Sequence, residues 1–484
     1  MTAAADPAML PRPAWWARPS WRLLMLVAIV ARWLSFGNPV IQVDEEFYYA
    51  TAHAMWHGAL PFVDVWDRKP IGLFLVYMPA AWLPFGWGVT AYQVLALASL
   101  VATARLIAAM AARVGWQAGA LAAAIAYLLW PDLLNGVGGQ APIFYNLPMA
   151  AAGALIVLAE RSSRPRRLGI AAMALVGIAL QIKYSAVFEG VFFGLWLLWR
   201  DSRKRSLAST AGYGVALVAV ALAPTLLALI VYVALGHGDA FVFANFGWLG
   251  HRNGDPWPGM LGNLGTLVLI LSPLVAMALA GSGEADAGQA VERRFLRFWL
   301  VAALVGVAVF GTWFDHYGLP VLVPGAAGAA GFLGRPRVRR AFGPAILLIV
   351  AIGGQVTVAI NRHNRGNAAQ FDALATLVGR GLGGLYVYSG TTMLYPATGR
   401  PALSRYLVPA HLNRVREDGA SGVDQAVEVR RIMAAGPAVV VMRPPFRGER
   451  PDIRATVLAM LLREGYRRVA VTPMGQEAIS IYQR

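Results

Sequence analysis

The chain contains no cysteine in 484 residues. That excludes a disulfide framework and a thiolate metal site, and it is compatible with an oxidising compartment without demanding one. Charge is scarce as well: 14% of residues are Asp, Glu, Lys or Arg against 58% hydrophobic, at a mean hydropathy of +0.54. A soluble enzyme cannot be that poor in charge, and the composition is that of a polytopic membrane protein. Lysine is almost missing, occurring only as Lys69, Lys183 and Lys204. The net charge of +17 therefore comes from arginine. These arginines sit mostly in short loops between apolar runs, where they set orientation, so a nucleic-acid partner is excluded. The Pro- and Ala-rich start, followed by an apolar run, lacks a signal-peptide cleavage site.

Carboxylates are sparse too, 25 in all, yet five of them fall within residues 43–70: Asp44, Glu45, Glu46, Asp64 and Asp67. The same stretch carries His53, His57, Arg68 and Lys69 and lies between two strongly apolar regions. Scarce ionisable groups gathered beside a membrane span point to chemistry there; the plain alternative is a solvated loop.

Apolar segments of spanning length lie near 22–40, 89–112, 115–131, 141–159, 168–184, 185–199, 207–235, 259–281, 297–314, 318–334 and 341–360, eleven in all. Segment 71–87 is also apolar, but Pro70, Pro79 and Pro84 break it, so it reads as interfacial or re-entrant. Every arginine-rich short loop then falls on one side: Arg12, Arg18 and Arg22, Arg113, and the loops 161–167, 200–205, 293–297 and 335–340. That is the cytoplasmic signature. The other side receives 43–70, 132–140, 237–258, 315–317 and everything after Asn361. Its loops supply Gln140, Tyr145, Asn146, Asn245, His251, Arg252, Asp315, His316 and Tyr317, with Lys183 and Tyr184 at a span end. Beyond residue 361, short strands near 384–389, 438–442, 469–472 and 478–482 alternate with helices near 371–378, 423–433 and 453–464, which predicts a small, basic α/β domain.

Within 43–70 a pattern is legible: Asp44-Glu45, Tyr48, Gly58-Ala59-Leu60-Pro61-Phe62-Val63-Asp64 and Lys69-Pro70. It resembles the first external loop of GT-C membrane glycosyltransferases, in particular bacterial relatives of the protein mannosyltransferases and of the lipid A aminoarabinose transferase. In that family Lys-Pro is followed by a second proline; here Ile71 stands in its place. Asp315-His316-Tyr317 with Leu319-Pro320 is similar to a late family segment. The resemblance implies a GT-C-like fold of about eleven transmembrane helices plus juxtamembrane helices. Residues 1–360, the part the resemblance covers, would form the catalytic membrane domain, with 43–87 its first external loop; the strand–helix alternation and the charge rule make 361–484 a small C-terminal α/β soluble domain on the periplasmic side of a bacterial inner membrane. The resemblance also implies a reaction: a sugar moves, with inversion, from a polyprenyl-phosphate donor to an envelope acceptor (glycan, lipid or protein).

The residues suit that chemistry. A carboxylate within reach of an acceptor hydroxyl acts as base, and Asp44 is the expected one, with Glu45 orienting or binding substrate. Adjacent helical residues do not share a face, however. Positive charge must meet the departing phosphate. Lys69 leads, followed by His251, Arg252, His316 and Lys183, while Tyr48, Asp64, Asp67, Gln140, Asn146, Tyr184 and Tyr317 complete the expected substrate contacts. Other roles stay open: Asp44 as a helix cap, Lys69 as a snorkelling lysine, His316 and Tyr317 as interface anchors. His53 and His57, spaced i,i+4, suit a metal or a solvated face. Asp44, Asp67 and a histidine have the donor types for a divalent cation, which some members of the family use and others do not. The competing class is a non-catalytic transporter or flippase, for which internal repeats are expected and none is evident.

Overall fold

The computed structural model describes residues 20–251, 253–281 and 289–484. Arg12, Arg18, Arg252 and the start of the chain lie outside the described residues. Helix dominates. Phe85–Arg113, Ala141–Ala159, Pro165–Ile182, Leu207–Ala234, Trp257–Ala280 and the helical run Val338–Val378 are long and apolar enough to cross a bilayer. The other five expected spans are helical but stop short of that criterion. Trp21–Arg32 and Leu322–Leu333 have 12 residues each, Ala120–Leu133 has 14 and Val187–Ser202 has 16. Ala290–Phe310 has 21 but opens on Glu292, Arg293, Arg294 and Arg297. Hydropathy does not register where a helix begins: tight turns at Gln117–Gly119 and Asp315–Val321 consume the first residues of two apolar runs. The helix Ile71–Ala81 has 11 residues, about 16 Å, roughly half the hydrocarbon thickness.

The arginine-rich loops meet at one end of the bundle. Arg161 lies 2.9 Å from Glu292, Arg166 2.7 Å from Asp201 and Arg200 2.6 Å from Glu160, while Arg293 donates to the Val114 carbonyl at 2.9 Å. Leu322–Leu333 (LVPGAAGAAGFL) is buried along almost its whole length. Its small residues permit this: a Cβ on the adjoining Gly119 would lie 2.0 Å from the Ala330 carbonyl oxygen.

Among the described residues all four strands follow residue 384: β1 Leu385–Val387, β2 Val439–Met442, β3 Arg467–Met474 and β4 Glu477–Gln483. They pair in the order β1-β2-β4-β3, with β1 parallel to β2 (Tyr386 opposite Val440) and the rest antiparallel (Val440 opposite Tyr482). Edge strand β1 and its parallel neighbour β2 are both buried throughout, which explains their unbroken apolar runs. Trp66, from the loop that follows the Val43–Trp56 helix, sits in the apolar cluster beneath this sheet with Tyr386, Tyr406 and Leu412. The C-terminal segment therefore packs directly on the acidic stretch near the N-terminus.

Candidate active site

The helix Val43–Trp56 begins with Gln42 as cap; its side chain accepts from the Asp44 amide at 3.3 Å. Asp44 is thus not the cap, and its carboxylate is free to turn away. Three acids in the first turn suit the positive end of the helix, and the 100° step between residues sends them to three faces. Asp44 Oδ2 accepts from Gln140 Nε2 at 3.0 Å and lies 3.7 Å from His316 Nε2. Behind His316 stands Asp315, whose Oδ1 is 3.5 Å from the ring Nδ1 and accepts the His316 amide at 2.8 Å. Asp315 in turn accepts from Asn135, and Asn135 accepts from Asn361. The imidazole lies between two carboxylates, held flat against Phe314 and edge-on to Tyr317.

Both lysines of this end face the same place. Lys183 follows the last residue of the Pro165–Ile182 helix in extended conformation, with its ammonium 4.8 Å from the centre of the Tyr317 ring. Lys69 closes the loop ahead of Pro70. Among the described residues neither is within 4 Å of a carboxylate or donates a hydrogen bond. Their field reaches Asp44: burial pushes its carboxyl up, but Lys69, His316, the Gln140 hydrogen bond and Lys183 outweigh burial and hold it down at about 2. The carboxyl of Asp315 is likewise held low, with His316 and Asn135 outweighing burial.

Lys183 and Tyr317 form the polar head of a narrow cleft of about 20 Å³. Its walls are mostly apolar, including Phe188, Ala303, Val307 and Phe310, from Val187–Ser202 and Ala290–Phe310, with Glu189, Ser185 and Tyr145 also lining it. The outer faces of those helices expose Val191, Leu195, Val305 and Val309.

By sequence, no family model and no curated protein matches the chain. By structure it is similar to ArnT from Cupriavidus metallidurans in the apo state, at a TM-score of 0.67 and 15% identity over 95% of this chain and 97% of that one. ArnT bound to undecaprenyl phosphate gives 0.66 at 15% identity, over 95% and 98%. The archaeal oligosaccharyltransferase AglB from Archaeoglobus fulgidus, in complex with an inhibitory peptide and a dolichol-phosphate, gives 0.51 at 12% identity, over 88% and 69%. The chain has the GT-C fold.

Within this GT-C fold the remaining expected residues separate. Glu45 is fully buried against Gly138 and Gly139; neither oxygen makes a hydrogen bond of ordinary length, and burial pushes its carboxyl up to about 7. Tyr48 is buried edge-on to Tyr77. Asp64 is exposed and accepts the Leu60 amide at 2.7 Å, closing the turn. Asp67 is buried and accepts the Arg68 amide. Asn146 is buried, donating to Tyr127 and to the Leu319 carbonyl. Tyr184 donates to Asn245 at 2.9 Å. His251 is exposed, near Phe243. His53 and His57 stack on each other at the far end of the helix. Among the described residues no three His, Asp or Glu side chains converge as metal ligands would; the partners of Asp44 are an amide and an imidazole, not a ligand cage.

Sequence reading missed the groups that hold the loop. Arg68 makes a two-pronged ion pair with buried Glu417, at 2.6 and 2.9 Å, and lies 4.5 Å from the Trp248 ring centre. The Trp66 amide donates to the Arg405 carbonyl at 2.9 Å. Glu46 takes Arg365 and Thr391, both at 2.7 Å. The loop itself is strained: Phe62 has φ +70, and the other positive-φ non-glycine residues, Asn135 and Trp313, lie beside Asp315.

Proposed function

We propose that the protein is a membrane glycosyltransferase that takes a sugar from a polyprenyl-phosphate donor and transfers it, with inversion, to an acceptor of the cell envelope. The observation that carries this is one constellation: an ionised Asp44 held by Gln140 and His316, in the field of two ammonium groups that have no carboxylate within 4 Å among the described residues, at the head of a cleft between membrane helices. The solved neighbours with this fold bind undecaprenyl phosphate and dolichol-phosphate.

In this reading the lipid chain lies along the exposed apolar faces of Val187–Ser202 and Ala290–Phe310 and its phosphate between Lys69 and Lys183, which stabilise the charge that grows as the sugar–phosphate bond breaks. The acceptor oxygen attacks the anomeric carbon from the opposite face, its proton passes to Asp44, and the lipid phosphate leaves. At about 2, Asp44 is a weak base in the free protein. A bound phosphate cancels the pull of both lysines and restores its basicity, so the base is armed only once donor is present. His316, braced by Asp315, and Gln140 fix the carboxylate. Glu45, facing Gly138–Gly139, supports the helix from behind. We assign residues 1–360 to the catalytic membrane domain, residues 361–484 to an α/β domain on the non-cytoplasmic side, and the arginine-rich end to the cytoplasm. The four shorter helices and the charge-rich Ala290–Phe310 complete the eleven crossings together with their flanking turns.

The test is mass spectrometry of envelope glycolipids and polysaccharide from a deletion strain. One sugar mass should disappear, return with the wild-type gene and stay missing with Asp44→Asn. An unchanged envelope profile, or full rescue by Asp44→Asn, contradicts the reading.

A further inference from the structure

On the opposite side of the Val43–Trp56 helix lies a second, larger cleft of about 200 Å³. The first turn of the helix forms one wall, through Val43, Glu46 and Phe47, and loops at the ends of the strands form the other. Its charges do not cancel. Arg365 is matched by Glu46 at 2.7 Å and Arg443 by Glu477 at 3.2 Å. Arg414, half-buried, has no carboxylate within 4 Å among the described residues and donates no side-chain hydrogen bond to them. Its guanidinium lies 5.3 Å from the centre of the Phe446 ring, and that of Arg443 lies 3.7 Å from the same ring. Burial, then Arg416 and Arg443, pull Arg414 down to about 10. Keeping a second guanidinium beside the first, partly desolvated and unmatched, costs stability. The arrangement makes sense where an external anion completes it, since guanidinium pairs are suited to carboxylate and phosphate. Ser389 and Thr391 add hydroxyls to the same wall.

We propose that this cleft binds a sugar unit bearing a phosphate or carboxylate, gripped by Arg414 and Arg443. Resting on the function proposed above, it is the seat of the acceptor: an anionic glycan. Glu46 lines the cleft and Asp44 belongs to the same helical turn, so an acceptor anchored here is about one helix width, ~10 Å, from the base. The sugar's anion is then read apart from the place where the donor phosphate is held.

The experiment uses the full chain in nanodiscs without donor and titrates glucose 6-phosphate, galacturonate, glucose and inorganic phosphate by calorimetry. Both sugar anions should bind at least tenfold more tightly than glucose and than inorganic phosphate. Arg414→Gln and, separately, Arg443→Gln should each weaken them at least tenfold with the melting temperature retained. Arg414→Lys should recover part of the loss, and Lys69→Ala should leave binding unchanged. Equal binding of glucose, or unaltered affinity in both arginine variants, overturns the proposal. Inorganic phosphate binding as tightly as the sugar phosphate reduces the site to an adventitious ion only, and loss of binding in Lys69→Ala moves the anion to the donor site. None of these outcomes touches the transfer reading, which stands or falls on the Asp44→Asn envelope profile.

Discussion

Asp44 and Glu45 are neighbours in sequence and opposites in environment. Asp44 faces Lys69, Lys183, His316 and Gln140, and its carboxyl is held at about 2. Glu45, one step around the helix, faces Gly138, Gly139 and Tyr92 in a sealed interior, and its carboxyl rises to about 7. Glu46, one step further, is tied to Arg365 and Thr391 beside the second cleft. Carboxyl groups placed at 100° intervals yield an ionised candidate base, a buried acid with a raised pKa and a strut. The surroundings decide which acid can act, and only the folded chain brings those surroundings together.

The comparison breaks most sharply at Asp44. Asp44→Asn should lower transfer about 10³-fold with the melting temperature unchanged, measured by complementation of the deletion strain. Next come the lysines: Lys69→Ala and Lys183→Ala should each weaken donor binding about 10- to 100-fold, the usual worth of a charge-assisted contact. A smaller loss is expected from the strap behind them. Glu417→Gln leaves Arg68 half-matched, and we expect a stability loss of ~3 kcal/mol together with reduced transfer. Because Glu417 touches no reacting group, wild-type melting with reduced transfer would contradict this positioning role.

Glu45→Gln should change transfer least, within about threefold, and should reveal itself in stability. The folded state keeps the Glu45 proton up to about pH 7, whereas the ordinary value is 4.5. Between those values the unfolded chain gives up a proton that the folded chain retains, so stability falls as pH rises through the window. The shift corresponds to ~3 kcal/mol. Glu45→Gln should flatten the melting temperature between pH 5 and 7 and exceed wild type above it. A variant with the wild-type pH slope would place that titration elsewhere.

The candidate site was legible because membrane proteins cannot scatter charge: carboxylates so rare, next to Lys69-Pro70 and between apolar runs, stand out. Gln140, Lys183 and His316 stood out for the same reason, as polar groups at the ends of apolar segments. The braces were not legible. Arg68 and Glu417 are 349 residues apart and Arg365 and Glu46 are 319 apart, and no local pattern announces such partners. Span lengths were blurred for another reason: averaging hydropathy over a window hides turns such as Gln117–Gly119, which subtract residues from a helix. Nor could sequence say that Asp64 closes a turn, since a carboxylate accepting an amide four residues earlier reads the same as one awaiting substrate.

The most direct test of the central claim is native mass spectrometry of undecaprenyl phosphate binding to the full chain in nanodiscs, wild type against Lys69→Ala/Lys183→Ala. One lipid phosphate should bind the wild type and be lost from the double variant at the same concentration, with melting preserved. Equal occupancy in both proteins would contradict a donor phosphate held between the two lysines beside Asp44.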